Sequence, residues 1–131
     1  MKKIIVLQSI LEQLELIQFG IKRNFPHLDD VVVYQSNFEE TLAEITNEDE
    51  LVVIASDWYH DDKHIHFSRG EKNGDRLAEE VKKINPLARV YIFSEYEPQS
   101  GHIDGFYIKS PMGRNAHREI ISIFRDLYLD K

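Results

Sequence analysis

Residues 51–58 read Leu-Val-Val-Ile-Ala-Ser-Asp-Trp, so five apolar residues in a row lead directly into a serine and an aspartate. A strand that is apolar at every position is expected where both faces of a sheet are covered by helices. In a parallel sheet, ligands bind at the edge formed by the carboxyl ends of the strands. This stretch therefore predicts a covered parallel sheet with Asp57 at its functional edge.

The rest of the chain alternates between short apolar runs and helical stripes, which predicts a doubly wound α/β fold with five parallel strands. The predicted strands cover 4–7, 31–34, 51–55, 90–93 and 106–108. The apolar stripes of the predicted helices are Leu14, Ile17, Ile21 and Phe25, then Phe38, Leu42 and Ile45, then Leu77, Val81 and Ile84, and last Ile120, Phe124 and Leu127. The expected helix boundaries are Pro26 and Asn85-Pro86 as ends, a capping box of Ser36 and Glu39, and Asn115 as a candidate cap.

Length and composition narrow the class of protein. The 131 residues predict a single domain over 1–131, and a net charge of −7 argues against nucleic acid as a partner. No apolar run approaches the length of a membrane span, so we expect no membrane partner. The absence of cysteine excludes disulfides and favours a cytoplasmic location.

Two further polar residues follow predicted strands. Ser94 comes directly after the run 90–93, and Lys109 closes the run 105–108. Since the carboxyl ends of parallel strands converge, both residues are expected near Asp57. An aspartate nucleophile, a hydroxyl and a lysine together suit phosphoryl chemistry.

These residues resemble the receiver domains of bacterial response regulators, the chemotaxis type in particular, over essentially the whole chain. Gly74, Leu77 and Val81 match the beginning of the family's third helix, and Phe106 stands where the family has an aromatic switch residue. The resemblance implies a flavodoxin-like sheet of order 2-1-3-4-5. It also implies that Asp57 is the phosphoacceptor, with Ser94 and Lys109 contacting the phosphoryl group.

The departures from the family pattern lie in the same region. Receivers end the first strand with two acidic residues that hold Mg²⁺, whereas this chain has Gln8 and Ser9. Neutral ligands replace carboxylates poorly around this cation, so we expect no metal or other cofactor, and Mg²⁺ only if the domain is phosphorylated. Asp57, Glu12 and Glu95 are the weaker candidates for a displaced metal site.

The loops also differ from the family. Ser110 separates Lys109 from Pro111, although receivers place proline directly after this lysine in a cis bond. The connection 95–104 is short, which predicts that the helix between the fourth and fifth strands is shortened or missing. We expect no attached effector domain, so any output passes through the surface of the domain itself.

These observations predict an atypical receiver-like domain that regulates through protein–protein contacts and has no standard phosphorylation cycle. The expected partner is a histidine kinase or a downstream signalling protein, and the oligomeric state stays open. We expect no enzyme activity beyond, at most, autophosphorylation and dephosphorylation at Asp57.

Three alternatives stay open at this point. The first is a working receiver that a histidine kinase phosphorylates on Asp57. The second is a small metal-binding protein whose ligands are the loop residues His60, Asp62, His64 and His66. The third, a nucleotide-binding domain, is disfavoured because no glycine-rich loop follows the first strand.

Overall fold

The structure, a computed structural model, describes residues 2–8, 11–47, 50–56, 73–94, 101–108 and 116–128. The strands are β1 (Lys2–Leu7), β2 (Val32–Gln35), β3 (Glu50–Ser56), β4 (Arg89–Ser94) and β5 (Gly105–Ile108). The helices are α1 (Leu11–Asn24), α2 (Phe38–Ala43), α3 (Asn73–Ile84) and α4 (Ala116–Tyr128), with a 3₁₀ helix at Pro26–Val31. None of the described helices is long and apolar enough to span a membrane.

The strands form one sheet in which every hydrogen-bonded pair of neighbours is parallel. Four of them stand in the order β2-β1-β3-β4, and β5 pairs with β4 at the outer edge. This arrangement confirms the predicted α/β class with a parallel sheet. Consecutive strands here are joined through helices or longer connections, as parallel pairing requires.

Helices cover both faces of the sheet, as the apolar run 51–55 predicts. Each of these five residues is at most 1% exposed. Because side chains alternate along a strand, one set packs on one face and the next set on the other. One face joins Ile4, Val6, Val52 and Ile54 to α1 and α4 through Ile17, Ile21, Ile120, Ile123 and Phe124. The opposite face joins Ile5, Leu7, Val53 and Ala55 to Ile45 and to α3 through Leu77, Ala78 and Val81.

Some of the helix boundaries were predicted correctly and others were not. Proline ends α1 as expected, since the 3₁₀ helix begins at Pro26. The predicted capping box at Ser36 is wrong, because Asn37 caps α2 and its Oδ1 accepts the Glu40 N–H at 2.8 Å. Asn37 and Glu40 have the same capping-box spacing one residue later, so the sequence is compatible with a cap at either Ser36 or Asn37. In the helix that forms, Thr41 is completely buried.

The predicted end of α3 at Asn85-Pro86 is confirmed, but the predicted apolar stripe of this helix is wrong at Ile84. Ile84 is 44% exposed, while Ala78 is buried beside Leu77 and Val81. The helix ends at Ile84, and the next buried position belongs to Asn85, which is 3% exposed. A polar side chain thus takes the place that the apolar stripe assigned to isoleucine.

Asn85 is buried because its side chain joins two connections. Its Nδ2 donates to the Thr46 carbonyl at 2.8 Å, and its Oδ1 accepts the Leu87 N–H at 3.0 Å. The first bond holds the segment after α2 against the end of α3, and the second shapes the turn that leads into β4. Both bonds satisfy polar groups that would otherwise be desolvated without a partner.

The connection between β4 and β5 is described only in part. Residues 101 and 102 form a turn, and no helix lies among residues 101–104. Residues 95–100 lie outside the described part of the chain, so the shortened helix predicted for this connection stays a prediction.

Replacing Asn85 with alanine tests its role. The change leaves the Thr46 carbonyl and the Leu87 N–H without their side-chain partner, so we expect Asn85→Ala to lower the free energy of unfolding by about 1–3 kcal/mol. Urea denaturation measures this loss. Asn24→Ala is the matched control, because Asn24 is exposed and makes one side-chain bond, to the Gly20 carbonyl at 2.8 Å. Equal losses in both variants would contradict the role given to Asn85.

Candidate functional site

The register of the sheet brings four strand ends to one edge. The Cα partners form a row that runs from Leu7 to Ala55, from Ala55 to Ile92 and from Ile92 to Phe106. Beyond this row, β1, β3, β4 and β5 all end within two residues. Polar residues that follow these strands therefore start from nearly the same height in the sheet.

The predicted phosphoacceptor group is only partly within the described residues. Ser94 is the last residue of β4 and pairs with Ile108 of β5, while Phe106 pairs with Ile92. The side chains of Ser94 and Phe106 lie outside what the structure describes. Asp57 follows the last residue of β3 and Lys109 follows the last residue of β5, and both residues lie outside the described ranges. The structure thus places the strand ends that carry these residues.

Gln8 is the described residue that bears most directly on the candidate site. It follows β1 and is 3% exposed, and its backbone N–H donates to the Gln35 carbonyl at 3.0 Å. This bond extends the pairing of β1 with β2 by one residue. The position where the receiver resemblance expects a carboxylate is therefore a buried neutral amide.

The candidate metal ligands do not form a site among the described residues. Glu12 lies in the first turn of α1 and is exposed. Glu95 and the loop residues His60, Asp62, His64 and His66 lie outside the described ranges. In the part of the chain that is described, no group of three or more His, Cys, Asp or Glu residues is placed to hold a metal ion.

Asp104 positions β5 from its amino end, and the sequence did not indicate this. Its Oδ2 accepts the Val90 N–H at 2.7 Å and the Lys82 ammonium at 2.8 Å. Its own N–H donates to the Val90 carbonyl at 2.8 Å. Asp104 thus fixes the beginning of β5 to β4 and α3. An aspartate just before a strand is common enough that its spacing alone gave no signal.

Two buried phenols, those of Tyr34 and Tyr128, are held in the neutral form by their surroundings. Burial raises the pKa of Tyr34, and the negative charge of Asp29 adds to the shift. Burial also raises the pKa of Tyr128 to about 12, although the charge of Arg89 acts in the opposite direction. Desolvation disfavours the phenolate, so both side chains stay neutral.

The fold as described, a parallel α/β sheet with its strand ends aligned at one edge, is the fold of receiver domains. The sequence matches no protein-family model and no curated protein. Solved structures do match this chain. The three compared below are at most 19% identical to it in sequence, so they establish its fold alone.

Three solved structures illustrate the match. The response regulator TrrA from Thermotoga maritima, in complex with Mg²⁺ and BeF, has a TM-score of 0.59 and 19% identity, covering 94% of this chain and 99% of that one. A CheY-like receiver domain protein from Methanospirillum hungatei has a TM-score of 0.60 and 14% identity, covering 100% and 99%. The isolated receiver domain of RcsB from Salmonella enterica serovar Typhimurium, with the phosphomimetic BeF₃⁻, has a TM-score of 0.64 and 13% identity, covering 99% and 90%. The chain therefore has the receiver-domain fold, as the resemblance implied.

Removing the Asp104 carboxylate is expected to loosen β5 selectively. Asp104→Ala deprives the Val90 N–H and Lys82 of their acceptor, so we expect a loss of about 1–2 kcal/mol and faster amide exchange in 105–108 than in β1. Hydrogen exchange followed residue by residue measures the difference. Glu80→Ala is the control, because it breaks the Lys83–Glu80 pair (3.2 Å) on the exposed side of α3. Such pairs contribute about 0–1 kcal/mol, and unchanged exchange in β5 of Asp104→Ala would contradict the assignment.

Proposed function

We propose that the chain is an atypical receiver-like signalling domain that regulates through protein–protein contacts. Asp57, Ser94 and Lys109 form its edge pocket, and this pocket binds Mg²⁺ too weakly for a standard phosphorylation cycle. The observation that carries the proposal is Gln8, a buried neutral amide at the end of β1 in a chain with the receiver fold. A solvated acid at this edge could bind a cation, whereas a buried amide adds no charge to attract one.

The register supports a common pocket for these residues. Ala55 and Ile92 are Cα partners, and Asp57 and Ser94 each follow them by two residues in the chain. With the period-two alternation of strands, the sequence predicts the two polar residues on the face of Ala55 and Ile92. Ser94 pairs with Ile108, so β5 ends beside the last residue of β4, and Lys109 is the next residue in the sequence.

The charge balance supports a pocket without a metal. Two carboxylates and a phosphoacceptor aspartate would repel one another and need a divalent cation to offset them. With Gln8 and Ser9 in place of the acids, one carboxylate remains, and the ammonium of Lys109 is sufficient to balance it. We infer an ion pair between Asp57 and Lys109 that holds the ends of β3 and β5 together.

Regulation by contact requires an element with two arrangements whose populations a partner shifts. The connection 95–104 joins the two strands that end in Ser94 and begin at Gly105. Its described end is fixed to β4 through Asp104. A partner that contacts this connection would thus act on the strand carrying Lys109 without any covalent modification.

A working phosphoacceptor is the second candidate. The order of Asp57, Ser94 and Lys109 along the chain favours it, and the TrrA and RcsB structures were solved with beryllium fluoride. It differs from the first candidate in two properties, Mg²⁺ binding at the edge that includes Asp57 and phosphorylation of Asp57.

Restoring the acids tests the proposal. We expect the double variant Gln8→Asp, Ser9→Asp to be less stable than the wild type without metal, because it concentrates negative charge at a buried edge. Saturating Mg²⁺ should stabilise this variant by about 1–3 kcal/mol, following the usual linkage between binding and folding. The wild type should show no such gain. Thermal unfolding with and without Mg²⁺ measures both effects.

Two controls locate the metal. Adding Asp57→Asn to the double variant should remove its response to Mg²⁺. Gln35→Asp places a new carboxylate at the end of the neighbouring strand β2 and should give no response. If the wild type is itself stabilised by Mg²⁺, loses that gain with Asp57→Asn and gains mass with a small-molecule phosphodonor, the working-receiver candidate is correct and the proposal is wrong.

A further inference from the structure

A groove of about 750 Å³ runs between α1 and α4, on the surface of the helical layer and away from the carboxyl edge of the sheet. Its α1 wall carries exposed apolar side chains, since Leu16 is 45% and Phe19 is 64% exposed. The lining residues are Leu16, Phe19, Gly20, Arg23 and Asn24 of α1, and Ile121, Ser122 and Arg125 of α4.

The groove results from a second stripe on α1. Ile17 and Ile21 point into the core, whereas Leu16, Phe19 and Gly20 lie beside them at the spacing i, i+3, i+4. Gly20 forms the floor where the two helices approach closely, because a Cβ there would stand 3.1 Å from Ile121 Cδ1. The core needs the first stripe only, so packing within this domain does not explain the second.

The charge of the groove is opposite to that of the chain. The protein carries a net charge of −7, yet among the described residues the charged side chains that line the groove are Arg23 and Arg125, with no acidic one. In the described part of the chain neither guanidinium has an ion pair or a hydrogen bond. Two arginines beside exposed leucine and phenylalanine form a surface with an apolar centre and a cationic border.

We propose that this groove binds an acidic amphipathic helix of a partner protein. Apolar side chains at i, i+3, i+4 and i+7 of such a helix would lie on Leu16, Phe19 and Ile121, which is the usual pattern of helix-in-groove recognition. Flanking Asp or Glu residues would pair with the two arginines in the bidentate geometry that guanidinium groups favour. Binding of such a helix would pass the output through a protein contact, and in this respect the groove's role rests on the proposed function.

Charge decides against two other occupants. A second copy of the chain in a twofold dimer would place the same patch against itself and bring like-charged arginines together. An anionic lipid surface would be repelled by the net charge of −7. A separate protein segment avoids the first penalty and, unlike an extended lipid surface, places its few acids only beside the two arginines, where screening by salt leaves the local charges dominant.

A designed peptide tests the inference on the full chain. The probe is a helical peptide with leucine at i, i+3, i+4 and i+7 and flanking glutamates, and its partner probe has lysine at every glutamate. Isothermal titration should detect binding of the glutamate peptide and at least about tenfold weaker binding of the lysine peptide. Phe19→Ala should weaken the glutamate peptide about tenfold, as expected for a central aromatic contact.

Charge exchange completes the test. Arg23→Glu with Arg125→Glu should reverse the preference, so that the lysine peptide binds more tightly than the glutamate peptide. Lys22→Glu, an exposed change on α1 outside the groove, and Leu87→Ala, at a side chain 74% exposed elsewhere, should leave both affinities within about twofold. Because a variant that failed to fold could not gain affinity for the lysine peptide, this reversal separates recognition from damage.

Three results would overturn the inference: no binding of either peptide, equal binding of both, or self-association that Phe19→Ala abolishes. None of these outcomes depends on Mg²⁺. The response of the Gln8→Asp, Ser9→Asp variant to Mg²⁺ therefore tests the proposed function separately. Helix binding in the groove can be wrong while the proposed function is correct.

Discussion

Parallel pairing of β3 with both β1 and β4 is the constraint on which the rest of the structure depends. Every apolar residue from 51 to 55 is buried, and their alternation divides the core into two layers, one beneath each pair of helices. The same pairing sets Leu7, Ala55 and Ile92 in one row. Core packing and the alignment of the functional edge thus follow from a single register, since a shift by one residue would turn the buried set of side chains outward.

At Gln8, what the receiver fold requires differs from what metal-dependent phosphoryl transfer requires. The fold needs only that β1 be apolar and central, and Ile4 to Leu7 satisfy this requirement with complete burial. Metal-dependent phosphoryl transfer needs carboxylates one residue farther on, where this chain has an amide. A fold can persist when its chemistry is lost, because the residues of the site contribute little to the core. Under the proposed function, contact surfaces such as the groove between α1 and α4 carry the signal.

Much of the fold was predictable from the sequence, because apolar periodicity is strong in strands and helices buried on one or both faces. The α/β class and the stripe Ile17, Ile21 and Phe25 are confirmed by burial. The wrong predictions concern polar side chains that bond to backbone groups. Asn37 caps α2 in place of Ser36, and Asn85 is buried where the stripe predicted Ile84. The role of Asp104 was not predicted, because its bonds to Val90 and Lys82 join residues that are distant in the sequence. The sequence predicted which residues belong to the candidate site. The structure describes mainly the ends of the strands that these residues follow.

The central claim, an edge pocket balanced by Lys109 and not by a metal, is tested most directly by an experimental structure of the wild type in saturating Mg²⁺ and beryllium fluoride. In that structure the Lys109 Nζ should lie within hydrogen-bond distance of the Asp57 carboxylate, with Gln8 buried beside them. Neither the cation nor the fluoride should bind at this edge. A Mg²⁺ ion coordinated by Asp57, with BeF₃⁻ bonded to its carboxylate and contacted by Ser94, would contradict the account.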